Sequence, residues 1–190
     1  MVEKMQSGFF AGVKRLLEFA ALRRLVRQQD GAVAVEFALV AAPFLALLFA
    51  ILETALVFFS GQTLETAAVD SARLIMTGQA QTQNLDQSTF KNAVCAKIYA
   101  LFDCNAGIYV DVRTFTSFAT ISTANPIDAN GNLVNNFIYQ PGGPGDIVVM
   151  RLMYQWPIYV SLLGLNALSN MSGNNRLLVA TVTFRNEPYQ

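Results

Sequence analysis

The sequence predicts an α+β protein, with one long N-terminal helix whose outer half packs on a small antiparallel sheet. Three observations predict it. Residues 30–59, DGAVAVEFALVAAPFLALLFAILETALVFF, form an apolar run broken only by Glu36 and Glu53 once it has begun. Residues 60–78, SGQTLETAAVDSARLIMTG, then place Leu64, Ala67, Ala68, Ser71, Ala72 and Ile75 at helical spacing. Beyond them, three segments alternate or run apolar in the manner of strands, separated by stretches rich in turn residues.

The apolar run is read as a membrane anchor. Residues 37–52 carry no charge, and the stretch 32–59 exceeds the roughly 20 residues that a spanning helix needs. A secretory signal would have a shorter apolar core and a small-x-small cleavage site after it. Here bulky residues return at once in ETALVFFSG. Pro43 lies inside the predicted helix, and membrane helices tolerate proline. The helix is expected to continue outside the lipid to about Thr77, with Gly78 as its stop. Its small-residue stripe suits close packing against another element.

Charge gives the orientation. The first 30 residues hold six basic side chains, Lys4, Lys14, Arg15, Arg23, Arg24 and Arg27, against Glu3, Glu18 and Asp30, a net of +3. No Lys or Arg follows until Arg73. Basic residues crowd the cytoplasmic flank of a membrane helix, so the N-terminus is expected inside and the C-terminal part outside.

The remaining composition narrows the function. The chain is 53% hydrophobic and only 14% charged, with formal net charge zero, which gives no reason to expect nucleic acid as a partner. It has no histidine. That removes the commonest general base and metal ligand and any Ser-His or Cys-His pair. No metal site, cofactor or catalytic constellation is expected, and the protein is not read as an enzyme.

The outer elements follow in order. In residues 86–101, DQSTFKNAVCAKIYAL, Phe90, Val94, Ile98 and Leu101 share one helical face, with Asp86 or Ser88 as cap. In AGIYVDVRTFTSF, Ile108, Val110 and Val112 lie on one side of a strand and Tyr109, Asp111 and Arg113 on the other. DANGN and QPGGPGD are loops, the latter a plain hairpin loop, since no P-loop Lys-Ser/Thr follows. Residues 146–157 and 176–184 read as two more strands. Residues 158–173, between them, are apolar and fit either a short helix or a second membrane-facing patch. Trp156, Tyr154 and Tyr159 fit core or membrane-interface anchors, with an interaction patch as the alternative. The sequon at Asn170 is read as chance.

Cys95 and Cys104 are nine residues apart. On one regular helix they would stand about 13 Å apart along the axis, beyond the roughly 7 Å that a disulfide allows. A bridge therefore requires the helix to end near Leu101, with residues 102–104 folding back. The oxidising exterior favours the bridge; two buried free cysteines are the alternative.

Glu53 is expected to snorkel at the outer interface. Glu36 needs more explanation, because a carboxylate inside a membrane segment is costly and marks function by default. Its setting is a basic leader, then Gly31, Ala-Val-Ala-Val, Glu36-Phe37 and an apolar helix. This resembles the class III signal of type IV pilins, with a leader ending in glycine and glutamate as fifth residue of the mature chain. Further along, AVEFALVAAPFLALLFAILETALVFF is similar to the N-terminal region of TadE-like proteins, the minor pilins or pseudopilins of the Tad (tight adherence) machinery. The tail ATVTFRNEPYQ is similar to tails of that family.

The resemblance implies a pilin-like fold and cleavage between Gly31 and Ala32 by a prepilin peptidase. It implies a leader, 1–31, removed on the cytoplasmic side; a transmembrane helix, 32–59; its outer continuation, 60–78; and an extracytoplasmic α+β domain, 79–190. Glu36, with Phe37 beside it, would serve assembly by pairing with the new amino group of Ala32 on a neighbouring subunit. The implied partners are the peptidase, other pilin and pseudopilin subunits, the inner-membrane assembly platform and membrane lipid. The implied location is the bacterial inner membrane, single-pass. Ala32 stands where major type IV pilins usually have phenylalanine. The alternative is a single-pass anchored binding or scaffold protein never cleaved at Gly31.

Overall fold

The computed structural model describes residues 30–98, 102–159 and 168–189. Helix α1 spans Asp30–Met76 without interruption, Pro43 included. The chain forms two compact units that divide inside this helix, Met1–Leu48 and Phe49–Gln190. In the first unit the described helical residues are almost all exposed, among them Val33, Phe37, Leu39, Val40 and Phe44. This is the pattern expected of a surface that meets lipid rather than protein.

The second unit is the α+β head. Its part of α1 buries Glu53, Val57, Ser60, Leu64, Ala67, Ala68, Ser71, Ala72 and Ile75. Those positions recur every three or four residues and so make one stripe. The expected small-residue face is therefore present, and it begins at Glu53 rather than beyond the apolar run. The helix closes where the sequence places its stop. Gly78 takes φ 75°, and its N–H donates to the carbonyl of Ile75 (3.0 Å). Positive φ favours glycine, and here the ring of Tyr189 also occupies the space a Cβ would need.

A short helix follows, α2 (Gln79–Thr82), which was not foreseen. Helix α3 (Gln87–Cys95) is capped by Asp86, whose carboxylate accepts the N–H of Thr89 at 2.7 Å. That N–H holds the Asp86 carboxyl below its ordinary value. The helix buries Phe90 and Val94 as expected. It stops at Cys95, however, and not near Leu101, which lies outside the described residues. The early stop allows residues 95 and 104 to approach, and the Cys95–Cys104 disulfide forms with Cα atoms 5.7 Å apart. Closing a loop of about ten residues stabilises the fold by about 2–3 kcal/mol in the chain-entropy model. Protein isolated from the oxidising compartment and unfolded without reductant is expected to show no free thiol. Labelling of both cysteines would contradict the bridge.

After the short helix α4 (Cys104–Gly107) come β1 (Ile108–Phe115), β2 (Ile147–Pro157) and β3 (Asn175–Arg185). They make an antiparallel sheet of order β1-β2-β3, with Asp111 opposite Arg151 and Leu152 opposite Ala180. Val110, Val112, Val148, Met150, Leu152, Ala180 and Phe184 share a core with Leu64, Ala68, Ala72 and Ile75 of α1. Tyr154 and Trp156 extend this core, with the ring of Phe102 edge-on to Tyr154 at 4.6 Å between centroids.

The opposite face of the sheet is buried along β2, whereas on β3 it leaves Val179, Thr181 and Thr183 exposed. Val149, Met153 and Leu177 lie there, and the Arg151 guanidinium donates to the carbonyl of Ala124 at 2.9 Å. The long connection 116–146 crosses this face and adds a parallel bridge, Val112 to Tyr139, at the free edge of β1. Strand edges invite unwanted pairing, and covering them is a common protection.

Candidate functional site

Each residue expected to serve processing or assembly lies in the first turns of α1. Gly31, Ala32, Glu36 and Phe37 are helical and exposed. A Cβ at Gly31 would meet no atom within 4 Å, and its backbone is not in the positive-φ region. Glycine in a helix costs about 1 kcal/mol relative to alanine, so nothing within the described chain calls for it. Gly61 has the same open setting, which means that openness alone does not single out Gly31. Its place between a basic leader and an apolar helix does. Ala32 and Glu36 stand four residues apart, one turn of helix, and so share a face. Among the described residues, Glu36 makes no hydrogen bond or ion pair. It stands among exposed Val33, Val35, Phe37, Leu39 and Val40.

Glu53 departs from expectation. Its carboxylate does not snorkel outward; it is 6% exposed, and it accepts the backbone N–H of Tyr159. Tyr159 follows the end of β2, so the bond ties that strand's exit to the helix. A buried carboxylate needs such partners. The stripe gives the missed signal: counting back from Leu64 by helical steps reaches Ser60, Val57 and Glu53. Its partner, a backbone N–H 106 positions away, leaves no trace in local sequence.

A second charged cluster was likewise not foreseen. Asp111 is 1% exposed and bridges two arginines. Arg151 donates from Nη2 at 2.6 Å and from Nε at 3.1 Å, and Arg113 from Nε at 3.0 Å. The N–H of Ile138 completes the set at 3.1 Å. Burial pushes the Asp111 carboxyl up, but the bonds from Arg113, Arg151 and Ile138, with the charge of Arg113, overcome it and hold it below its ordinary value. Arg113 also donates to the carbonyl of Asn136 at 2.9 Å. The cluster thus fastens the long connection onto the sheet, and nothing in its arrangement provides a reactive group.

The QPGGPG segment is a docking loop and not a plain hairpin turn. Its carbonyls accept hydrogen bonds from Asn186 at Pro141 and Gly143, from Gln81 at Pro141 and from Tyr189 at Gly142. Arg185 donates to Gly145, and the N–H of Glu187 donates to the carbonyl of Met76 at 2.8 Å. The FRNEPY tail therefore ties the C-terminal end of α1 to this loop. Asn170 in the sequon accepts the N–H of Leu177 at 2.8 Å, which gives it a structural role.

Among the described residues no group of three His, Cys, Asp or Glu side chains is placed to hold a metal ion. Two open clefts share Tyr109 and Asn135. The carboxylate in the first, Asp86, is already engaged as the cap of α3.

Helix α1 from Gly31 to Met76 is long and apolar enough to cross a membrane. Residues 31–73 match the family model described as TadE-like protein. No curated protein and no solved structure matches the chain.

Proposed function

With residues 31–73 TadE-like, we propose that this protein is a pseudopilin, or minor pilin, of a Tad pilus assembly that serves surface adherence. Its role is structural, and catalysis belongs to its partners. The observation that carries the reading is the coincidence, within that matched segment, of Gly31, Glu36 and an exposed apolar helix. The glycine and the glutamate are both unexplained by contacts within the described chain, and both find a use in processing and assembly.

In this reading a prepilin peptidase cuts between Gly31 and Ala32 on the cytoplasmic side. The helix is kept, and an amino group appears at Ala32. Glu36 of a neighbouring subunit pairs with that amine as helices come together. Opposite charges attract strongly where water is scarce, and each alone would be costly there. The unprocessed chain lacks the amine, so assembly waits for cleavage. The head faces the extracytoplasmic side, where the Cys95–Cys104 bridge survives.

The orientation is tested with reporters joined after Gln190. A reporter active only outside the cytoplasm is expected to work, and one active only inside is expected to stay silent. The reverse would reject the orientation, and the pilin reading with it.

A further inference from the structure

The head carries a second feature that the anchor does not explain. Residues 152–175 contain no Asp, Glu, Lys or Arg. Within this stretch Tyr159 is 80% exposed. Its backbone is bonded to Glu53 of α1, so its level along the helix is fixed. At that level the helix is still apolar on its outer side, with Leu52, Leu56, Phe58 and Phe59 all about half exposed or more.

Helix rise places this level relative to the bilayer. Of the stretch 32–59 expected to lie in the membrane, residues 32–52 alone rise about 32 Å as a helix, enough to cross a hydrocarbon core of about 30 Å, which leaves 53–59 for its outer boundary. Glu53 and the turn after it then lie at the outer boundary of that core, in the layer of headgroups and glycerol backbones. Tyrosine concentrates in that layer, because its ring is apolar and its hydroxyl is wet.

We propose that the edge of the head at Tyr159, together with Leu56, Phe58 and Phe59 at the outer end of the span, binds lipid directly as an interfacial contact beyond the residues that cross the hydrocarbon core. It rests on the membrane-anchor reading above. The buried Glu53 holds this edge at the interface, and its bond to the backbone of Tyr159 spares both groups the cost of entering that layer unpaired. The stretch itself has no cation, and Arg176 beside it, opposite Trp156, donates to the carbonyl of Leu168 at 2.9 Å, so the contact is one of apolar burial. It needs no anionic lipid and persists in salt.

The full chain, reconstituted in phosphatidylcholine vesicles, tests this with a tryptophan added at one position at a time and the signal of native Trp156 subtracted. The quenchers are lipids brominated near the glycerol backbone or deep in the acyl chain. Val40→Trp reports the span, Phe118→Trp reports an exposed residue elsewhere on the head, and Tyr159→Trp reports the proposed contact. Tyr159→Trp is expected to lose roughly half of its emission to the shallow quencher and clearly less to the deep one, as an interfacial aromatic should. Phe118→Trp is expected to stay unquenched, and 0.5 M salt or anionic lipid should change nothing. Quenching of Val40→Trp without quenching of Tyr159→Trp would overturn this inference and leave the anchor standing. An unquenched Val40→Trp would overturn both. Protection of Tyr159→Trp from lipid and from aqueous acrylamide alike would overturn lipid contact in favour of a protein neighbour.

Discussion

Glu36→Gln is expected to leave the chain inserted, cleaved and disulfide-bonded, and to abolish its co-purification with other pilus subunits. The substitution keeps size and removes charge. Glu36 is exposed in the first turns of α1 and makes no hydrogen bond or ion pair among the described residues, so the head has nothing to lose from the change. The loss falls on the neighbouring subunit, whose Ala32 amine would enter a poorly hydrated site without its counter-charge. Breaking such a pair by removing one partner costs about 3–5 kcal/mol. That is a fall of about two to four orders of magnitude in the incorporation equilibrium. Co-purification of the Gln variant at the wild-type level would mean that Glu36 only reaches for the inner interface.

Asp111→Ala is expected to do the reverse, destabilising the head and sparing the leader segment. Asp111 lies under the long connection 116–146 and is 1% exposed, and Arg151, 6% exposed, has its charge balanced there. Deleting the carboxylate leaves a buried guanidinium unpaired, at a cost of about 3–5 kcal/mol. Folded domains hold a margin of only about 5–15 kcal/mol, so the effect is a large part of the total. The readout is the denaturant midpoint of detergent-solubilised protein, followed by Trp156, which packs against Phe102 with ring centroids 6.0 Å apart. Arg113→Ala should cost less, about 1 kcal/mol, because its side chain keeps partial contact with water.

The same carboxylate makes the head acid-sensitive. Its folded pKa lies below its ordinary value, so the unfolded chain takes up the proton first. The stabilisation is whole above about pH 4 and is lost as the pH falls through the folded pKa. Asp111→Ala should flatten this part of the stability profile. An unchanged midpoint in that variant would contradict the role assigned to the cluster.

What the sequence disclosed and what it hid divide along physical lines. Periodicity revealed α1, its stop at Gly78 and all three strands, because each depends on residues near one another in the chain. The disulfide was legible in outline, since spacing and compartment both bear on it. The stop of α3 at Cys95 was not, because helical spacing continues through Ile98 in the sequence. Alternation assigned Asp111 and Arg113 to a second face but could not show that the face is covered. That depends on a partner strand and a connection whose register lies 27 to 40 residues away. Glu53 was misread for the same reason, its charge being legible and its distant backbone partner not. The QPGGPG loop revealed its turn chemistry and concealed the tail that docks on it.

The most direct test of the central claim is the N-terminal residue of the membrane-purified chain, read by mass spectrometry after expression with its cognate prepilin peptidase. The account predicts a chain that begins at Ala32, and a Gly31→Leu variant that keeps its leader, because the peptidase needs a small residue before the cut. A wild-type chain that still carries the residues before Gly31 in the presence of active peptidase would contradict it, and would favour the uncleaved anchored scaffold instead.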